Sequence, residues 1–121
     1  MTLYTIDGVL ATLNDHDSAN RVNKFLGAKL KKEMTEFVYW QVLNKKKITK
    51  PCIITFNWLV SSKADFDNIR FAAKYILDGM VKAGVLPDDS QKWVIGFGGD
   101  YFTKVEKGQE KIIIEVEECD E

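Results

Sequence analysis

The chain has 121 residues, and its 17 Lys and Arg against 18 Asp and Glu give a formal net charge of −1. This length is enough for one domain with a sizeable core. No stretch approaches the roughly 18 consecutive apolar residues that a membrane span needs, and the N-terminus lacks a basic segment followed by an apolar one. The composition therefore argues against a membrane protein and predicts a cytoplasmic one, with Cys52 and Cys119 as free thiols.

The near-even charge balance conceals an uneven distribution along the chain. Residues 115–121 hold five acids and no base, and they are interpreted as an acidic C-terminal tail. Residues 20–50 hold nine bases and two acids. A basic segment of this kind suits a phosphate backbone, but on its own it is better explained as a solvated, lysine-rich helix surface.

The first half of the chain predicts a strand, a loop and a long helix. Residues 2–10 have the apolar residues of a strand, and residues 12–20 form a polar loop. Apolar side chains then recur at helical spacing, which predicts an amphipathic helix near residues 18–44. Its apolar stripe faces the core, and its other face carries the basic residues Arg21, Lys24, Lys31 and Lys32.

A second strand and a second helix follow. Residues 50–62 are rich in β-branched and aromatic residues, which is typical of a strand. From Ile69 to Val81, apolar side chains recur at three- and four-residue spacing, which predicts another amphipathic helix. That helix is predicted to end at Lys82-Ala83-Gly84, because a basic residue and a glycine favour a helix C-terminus.

The last part of the chain is predicted to be strand. Residues 93–97 and 101–105 indicate either two strands or one long bent strand, and residues 111–116 form its partner. The element order β-α-β-α-β-β predicts a single α+β domain over residues 1–121, with helices packed on one face of a mixed sheet. The three tryptophans (Trp40, Trp58 and Trp93) are predicted to lie in the core rather than to stack on bases, although one of them, or Phe102, could instead line a dimer interface.

Two acidic pairs flank the second predicted helix. Asp65 and Asp67 precede it, and their like charges repel unless a cation lies between them. Asp88 and Asp89 follow it. These loops are predicted to bring their carboxylates together, and carboxylate oxygens are ligands that Mg²⁺ prefers. The alternative is helix capping by Asp67, which explains one acid but not four.

The same residues carry a resemblance to a known family. Asp65-Phe66-Asp67-Asn68, a helix with Lys74 and Asp78, and the segment from Lys82 to Asp89 resemble the signature of RusA-family Holliday-junction resolvases, small phage and prophage endonucleases. Many members place the lysine three residues after the Asn. Here the lysine comes six residues after it, which we interpret as one extra helical turn that keeps it on the same face.

The resemblance implies a RusA-like fold and a Mg²⁺-dependent endonuclease that resolves four-way DNA junctions in recombination and repair. Mn²⁺ could replace Mg²⁺, and water activated at the metal would attack the phosphodiester. The residues that would hold the metal and act in catalysis are Asp65, Asp67 and Asp89. Lys74 would offset developing charge, unless it only pairs with Asp78. The supporting residues would be Asn68, Asp78 and Asp88.

The resemblance also implies a homodimer, because two symmetric nicks resolve a junction. Candidate DNA contacts are Asn14, Arg21, Lys24, Lys31 and Lys32, although a turn explains the asparagine equally well. No nucleotide cofactor is expected, because Gly96 to Gly99 lack a P-loop lysine and a following helix. Two alternatives stay open: a catalytically inactive DNA-binding module, and a metal-dependent hydrolase of another phosphate ester.

Overall fold

The computed structural model describes residues 1–120. The chain forms one α+β domain around a four-stranded mixed sheet with the strand order β1-β4-β2-β3. The elements in chain order are β1 (Thr2–Asp7), α1 (Leu13–Val22), α2 (Lys24–Val42), β2 (Cys52–Val60), α3 (Phe66–Arg70), α4 (Ala73–Lys82), β3 (Val94–Lys104) and β4 (Lys111–Glu118). The predicted α+β class and mixed sheet are confirmed, but each predicted helix is divided into two.

The central strand β2 organises the sheet. It pairs parallel with β3 and antiparallel with β4, which in turn pairs antiparallel with β1. Alternate residues of β2 point into the core and are almost completely buried: Cys52, Ile54, Phe56 and Trp58. The segment predicted as two strands or one bent strand is a single strand, β3, and its register against β2 shifts next to Ile53 and Thr55. Register shifts of this kind are typical of a β-bulge. The predicted pairing of this segment with residues 111–116 is wrong, because β4 lies between β1 and β2 and does not pair with β3.

The prediction of a loop over residues 12–20 is wrong, because most of this segment forms helix α1. The Thr12 side chain accepts a hydrogen bond from the Asp15 backbone N–H, and the Asp15 side chain accepts one from the Thr12 backbone N–H. This capping box starts the helix. Asn23 then has extended backbone, and its side chain caps α2 by accepting from the Leu26 N–H at 2.8 Å. The predicted long helix is therefore broken at Asn23.

The second predicted helix is interrupted between α3 and α4. The N–H of Ala72 donates to the Ile69 carbonyl, and the N–H of Lys74 donates to the Phe71 carbonyl. These i→i+3 bonds tighten the chain into 3₁₀ turns. The predicted C-terminus is confirmed: α4 ends at Lys82, and Gly84 follows with φ +76°, the left-handed conformation that glycine adopts without strain.

Helices α2 and α4 pack closely at Gly79. A methyl group added there would lie 2.6 Å from Val38 Cβ and 2.9 Å from the Thr35 carbonyl oxygen. We expect Gly79→Ala to lower the free energy of unfolding by about 1–3 kcal/mol, because the helices must separate. Urea denaturation measures this. The matched control is Gly96→Ala, whose methyl meets no atom of residues 1–120 within 4 Å. Equal stability of the two variants would contradict the packing.

The two cysteines are free, as predicted. The pKa of the buried Cys52 thiol is raised to about 11, mainly by burial and then by the nearby Glu118 and Cys119. Such a thiol is protonated at neutral pH and unreactive. The start of the predicted acidic tail is structured, because residues 115–118 belong to β4 and Glu118 accepts hydrogen bonds from Thr49. Glu121 lies outside the described residues.

The tryptophans do not share one environment. Trp58 is 1% exposed and belongs to the core, and Trp93 is half-buried against it. Trp40 lies on α2 and is 69% exposed, so its prediction as a core residue is wrong. None of the helices formed by residues 1–120 combines the length and the apolar character needed to cross a bilayer.

Candidate active site

The first acidic pair lies at the N-terminal end of the short helix α3, which is fixed to the edge strand β3. A five-residue helix is not stable on its own, so its position depends on tertiary contacts. The Phe66 ring stacks on the Phe102 ring with centroids 4.8 Å apart. At the other end of α3, Arg70 Nε donates to Asp100 Oδ2 at 2.5 Å. Both ends of α3 are therefore held against β3.

The opposite side of α3 is held by helix α1. Asn68 Oδ1 accepts a hydrogen bond from the backbone N–H of Asn14 at 2.8 Å, which satisfies one of the free donors of the α1 N-terminus. The His16 ring lies 5.3 Å from the Phe71 ring. The predicted supporting residue Asn68 and the predicted DNA contact Asn14 are thus brought together, through the backbone of Asn14.

Both carboxylates of the first pair are exposed. Asp65 occupies the N-cap position of α3, but its side chain makes no capping hydrogen bond. Asp67 lies within the first turn and therefore does not cap the helix. Within residues 1–120, neither carboxylate makes a side-chain hydrogen bond or an ion pair closer than 4 Å. Capping therefore does not account for either acid, and four carboxylate oxygens stay available to a ligand.

The capping alternative can be tested by stability. We expect Asp65→Ala to leave the melting temperature of the metal-free protein unchanged or raised, because it removes like-charge repulsion and no capping bond. The control is Thr12→Ala, which removes a capping bond and should cost about 1 kcal/mol. Calorimetry without divalent metal compares them. If the melting temperature fell as much for Asp65→Ala as for Thr12→Ala, the capping interpretation would be restored.

Lys74 and Asp78 do not form the ion pair considered above. Lys74 is exposed on the first turn of α4, and no carboxylate of residues 1–120 lies within 4 Å of its ammonium group. Asp78 is half-buried and lines a surface cleft between α2 and α4, together with Lys31, Lys32 and Lys82. Asp78 therefore faces the basic side of α2, while Lys74 remains free near α3.

The second acidic pair lies at the opposite end of the sheet from the first. The loop with Asp88 and Asp89 leads into the start of β3, and the Trp93 carbonyl accepts from the Cys52 N–H at 2.8 Å, at the start of β2. Asp65 instead follows the end of β2. Because β2 covers nine residues, its ends are roughly 25 Å apart at about 3.3 Å per residue. Asp89 therefore does not join the first pair within one chain, and the prediction that the two loops bring their carboxylates together is wrong for a single chain.

The predicted magnesium ligands are not all brought together in one chain. Within the described part of the chain, no group of three or more His, Cys, Asp or Glu side chains is close enough to hold a metal ion. Mg²⁺ is commonly bound by one or two carboxylates together with waters and substrate phosphate oxygens. Asp65 and Asp67 supply that number of carboxylates, and both are exposed.

The predicted DNA-contacting cations are all exposed. Arg21 lies near the end of α1, Lys24 begins α2, and Lys31 and Lys32 follow along α2 beside Asp78. They therefore lie on the helical layer that also holds α3 in place.

Sequence reasoning missed the pair formed by Arg70 and Asp100. The sequence shows Arg70 three positions after Asp67, but it does not show which side chain Arg70 contacts. Asp100 stands in a glycine-rich strand 30 residues away from Arg70, and only the pairing of β3 with β2 brings it there. No local pattern in the sequence indicates this contact.

Comparisons with known proteins add no assignment. No protein-family model matches the chain, and no curated protein sequence matches it.

Proposed function

We propose that the protein is a metal-dependent, structure-selective DNA endonuclease that resolves four-way junctions in recombination and repair. The observation that carries this proposal is the surroundings of Asp65 and Asp67. They are two exposed carboxylates without side-chain partners in residues 1–120, on a helix held at both ends. Lys74, an exposed cation without a close carboxylate, lies one turn beyond α3. The resemblance to the RusA signature assigns these same residues.

In this proposal, Asp65 and Asp67 hold Mg²⁺, which when bound neutralises phosphate charge and lowers the pKa of a coordinated water. The contacts of α3 with β3 and α1 keep the two carboxylates in place, so little conformational entropy is lost when DNA binds. Lys74 stabilises charge that develops on the phosphate and the leaving oxygen. Its ammonium group is free to do so, since no carboxylate in the described residues engages it.

The position of Asp89 sets a condition on the homodimer that the RusA resemblance implies. Because one chain keeps Asp89 at the far end of β2, Asp89 can assist the metal only from a second copy of the chain. A twofold dimer would then form two sites, each with Asp65 and Asp67 from one protomer and Asp89 from its partner. Two such sites suit a substrate that needs two symmetric nicks.

The test uses the purified protein with a synthetic four-way junction and a linear duplex of the same arm sequence, with and without Mg²⁺. We expect paired nicks in the junction that require Mg²⁺, and little cleavage of the duplex. Equal cleavage of both DNAs would contradict structure selectivity. Junction binding without cleavage in Mg²⁺ or Mn²⁺ would instead show a catalytically inactive DNA-binding module.

A further inference from the structure

The Arg70 guanidinium is held in one orientation by two side chains of the edge strand β3. Its Nε donates to Asp100 Oδ2 at 2.5 Å, and its Cζ lies 5.9 Å from the centre of the Phe97 ring. The other oxygen of Asp100 accepts from the Trp58 indole N–H at 2.9 Å. Asp100 is only 16% exposed and Trp58 is buried. Both carboxylate oxygens are therefore engaged, which fixes the carboxylate that holds Arg70.

The outer edge of the same guanidinium stays available. Only Nε of Arg70 is engaged in a hydrogen bond within residues 1–120, so both terminal amino groups lack a protein partner. The side chain is 44% exposed, and Arg70 lies on the same short helix as the acidic pair. Two amino groups of a fixed guanidinium match the spacing of two phosphate oxygens.

We propose that Arg70 binds a phosphate of the DNA backbone beside the acidic pair, and that Asp100 is the positioning residue that aims it. This inference rests on the proposed function, because it takes the DNA backbone as the ligand. A purely structural role is the competing explanation, in which the ion pair only attaches α3 to β3. The two explanations make different predictions for Arg70→Lys. A lysine can replace the arginine in an ion pair, but it cannot form a fixed two-pronged contact with a phosphate.

The experiment measures binding of a labelled four-way junction by fluorescence anisotropy, without divalent metal and over a series of KCl concentrations. We expect Arg70→Gln to lower affinity about tenfold and to reduce the slope of log K against log salt by about 0.9, one phosphate contact. Arg70→Lys should keep the slope and lose affinity severalfold. The control is Lys45→Gln, an exposed lysine beside β1 at the opposite edge of the sheet from β3, which should leave affinity and slope unchanged.

Asp100→Asn separates positioning from simple repulsion. It removes a negative charge, so a carboxylate that merely repelled DNA would bind more tightly when replaced. The proposal instead expects severalfold weaker binding at unchanged salt slope, because Arg70 is released.

Each outcome decides between the explanations. An unchanged slope and affinity for folded Arg70→Gln, or binding by Arg70→Lys equal to wild type, would overturn the assignment of Arg70. If Arg70→Gln does not fold, Arg70→Lys decides. Tighter binding by Asp100→Asn would overturn the positioning role. Absence of DNA binding by the wild-type protein would remove the proposed function itself, whereas wild-type cleavage with an unaffected Arg70→Gln would remove only this inference.

Discussion

Asp67→Asn is expected to abolish Mg²⁺-dependent cleavage of a four-way junction and to leave junction binding intact. The amide has nearly the shape of the carboxylate but lacks its charge, and it offers one oxygen instead of two. Loss of groups that only support a metal ligand costs 10–100-fold, so replacing a ligand should slow cleavage at least about a hundredfold. Single-turnover cleavage and anisotropy measure the two effects separately.

The matched control for Asp67→Asn is Glu106→Gln, an exposed acid in the turn after β3. It removes the same charge at a residue that has no part in the proposed site, and it should cleave like the wild type. Wild-type cleavage by Asp67→Asn would remove this residue from the metal site. A loss of binding along with cleavage would show that the variant disturbs the DNA-binding surface, which its exposed position does not predict.

The strands and the end of α4 could be predicted because their signals are local. Alternating burial along β2 follows from its β-branched and aromatic residues, and Gly84 marks the end of α4 through its positive φ. Helix α1 was missed because none of its residues is buried, so it has no apolar stripe. Its signal was the capping pattern of Thr12 and Asp15.

The candidate site was predictable in its residue types but not in its geometry. The acidic pair before a helix was visible in the sequence, and the structure leaves both Asp65 and Asp67 exposed. The separation from Asp89 follows from topology. A helix that connects two parallel strands runs back along the sheet, so the loops at its two ends lie at opposite ends of the strands. The partnership of Arg70 with Asp100 depends on tertiary packing and has no local signal.

A mixture of two inactive variants is expected to regain nicking activity if Asp89 acts in the partner's site. Asp67→Asn and Asp89→Asn should each be inactive alone. In a mixed dimer, one site would have both substitutions and the other site neither. Random association gives half mixed dimers, each with one intact site, so nicking should reach about a quarter of the wild-type rate. Co-refolded protein and a junction-nicking assay measure this.

The control is a second mixture, of the single variants Asp65→Asn and Asp67→Asn. Both residues lie at the N-terminal end of α3 in the same protomer, so every site in that mixture lacks one carboxylate and no recovery is expected. If Asp89 acted within its own chain, the first mixture would stay as inactive as this control. The fold of a single chain leaves the site with two carboxylates. Recovery restricted to the first mixture would therefore show that the partner's loop at the far end of β2, which contains Asp89, completes the site.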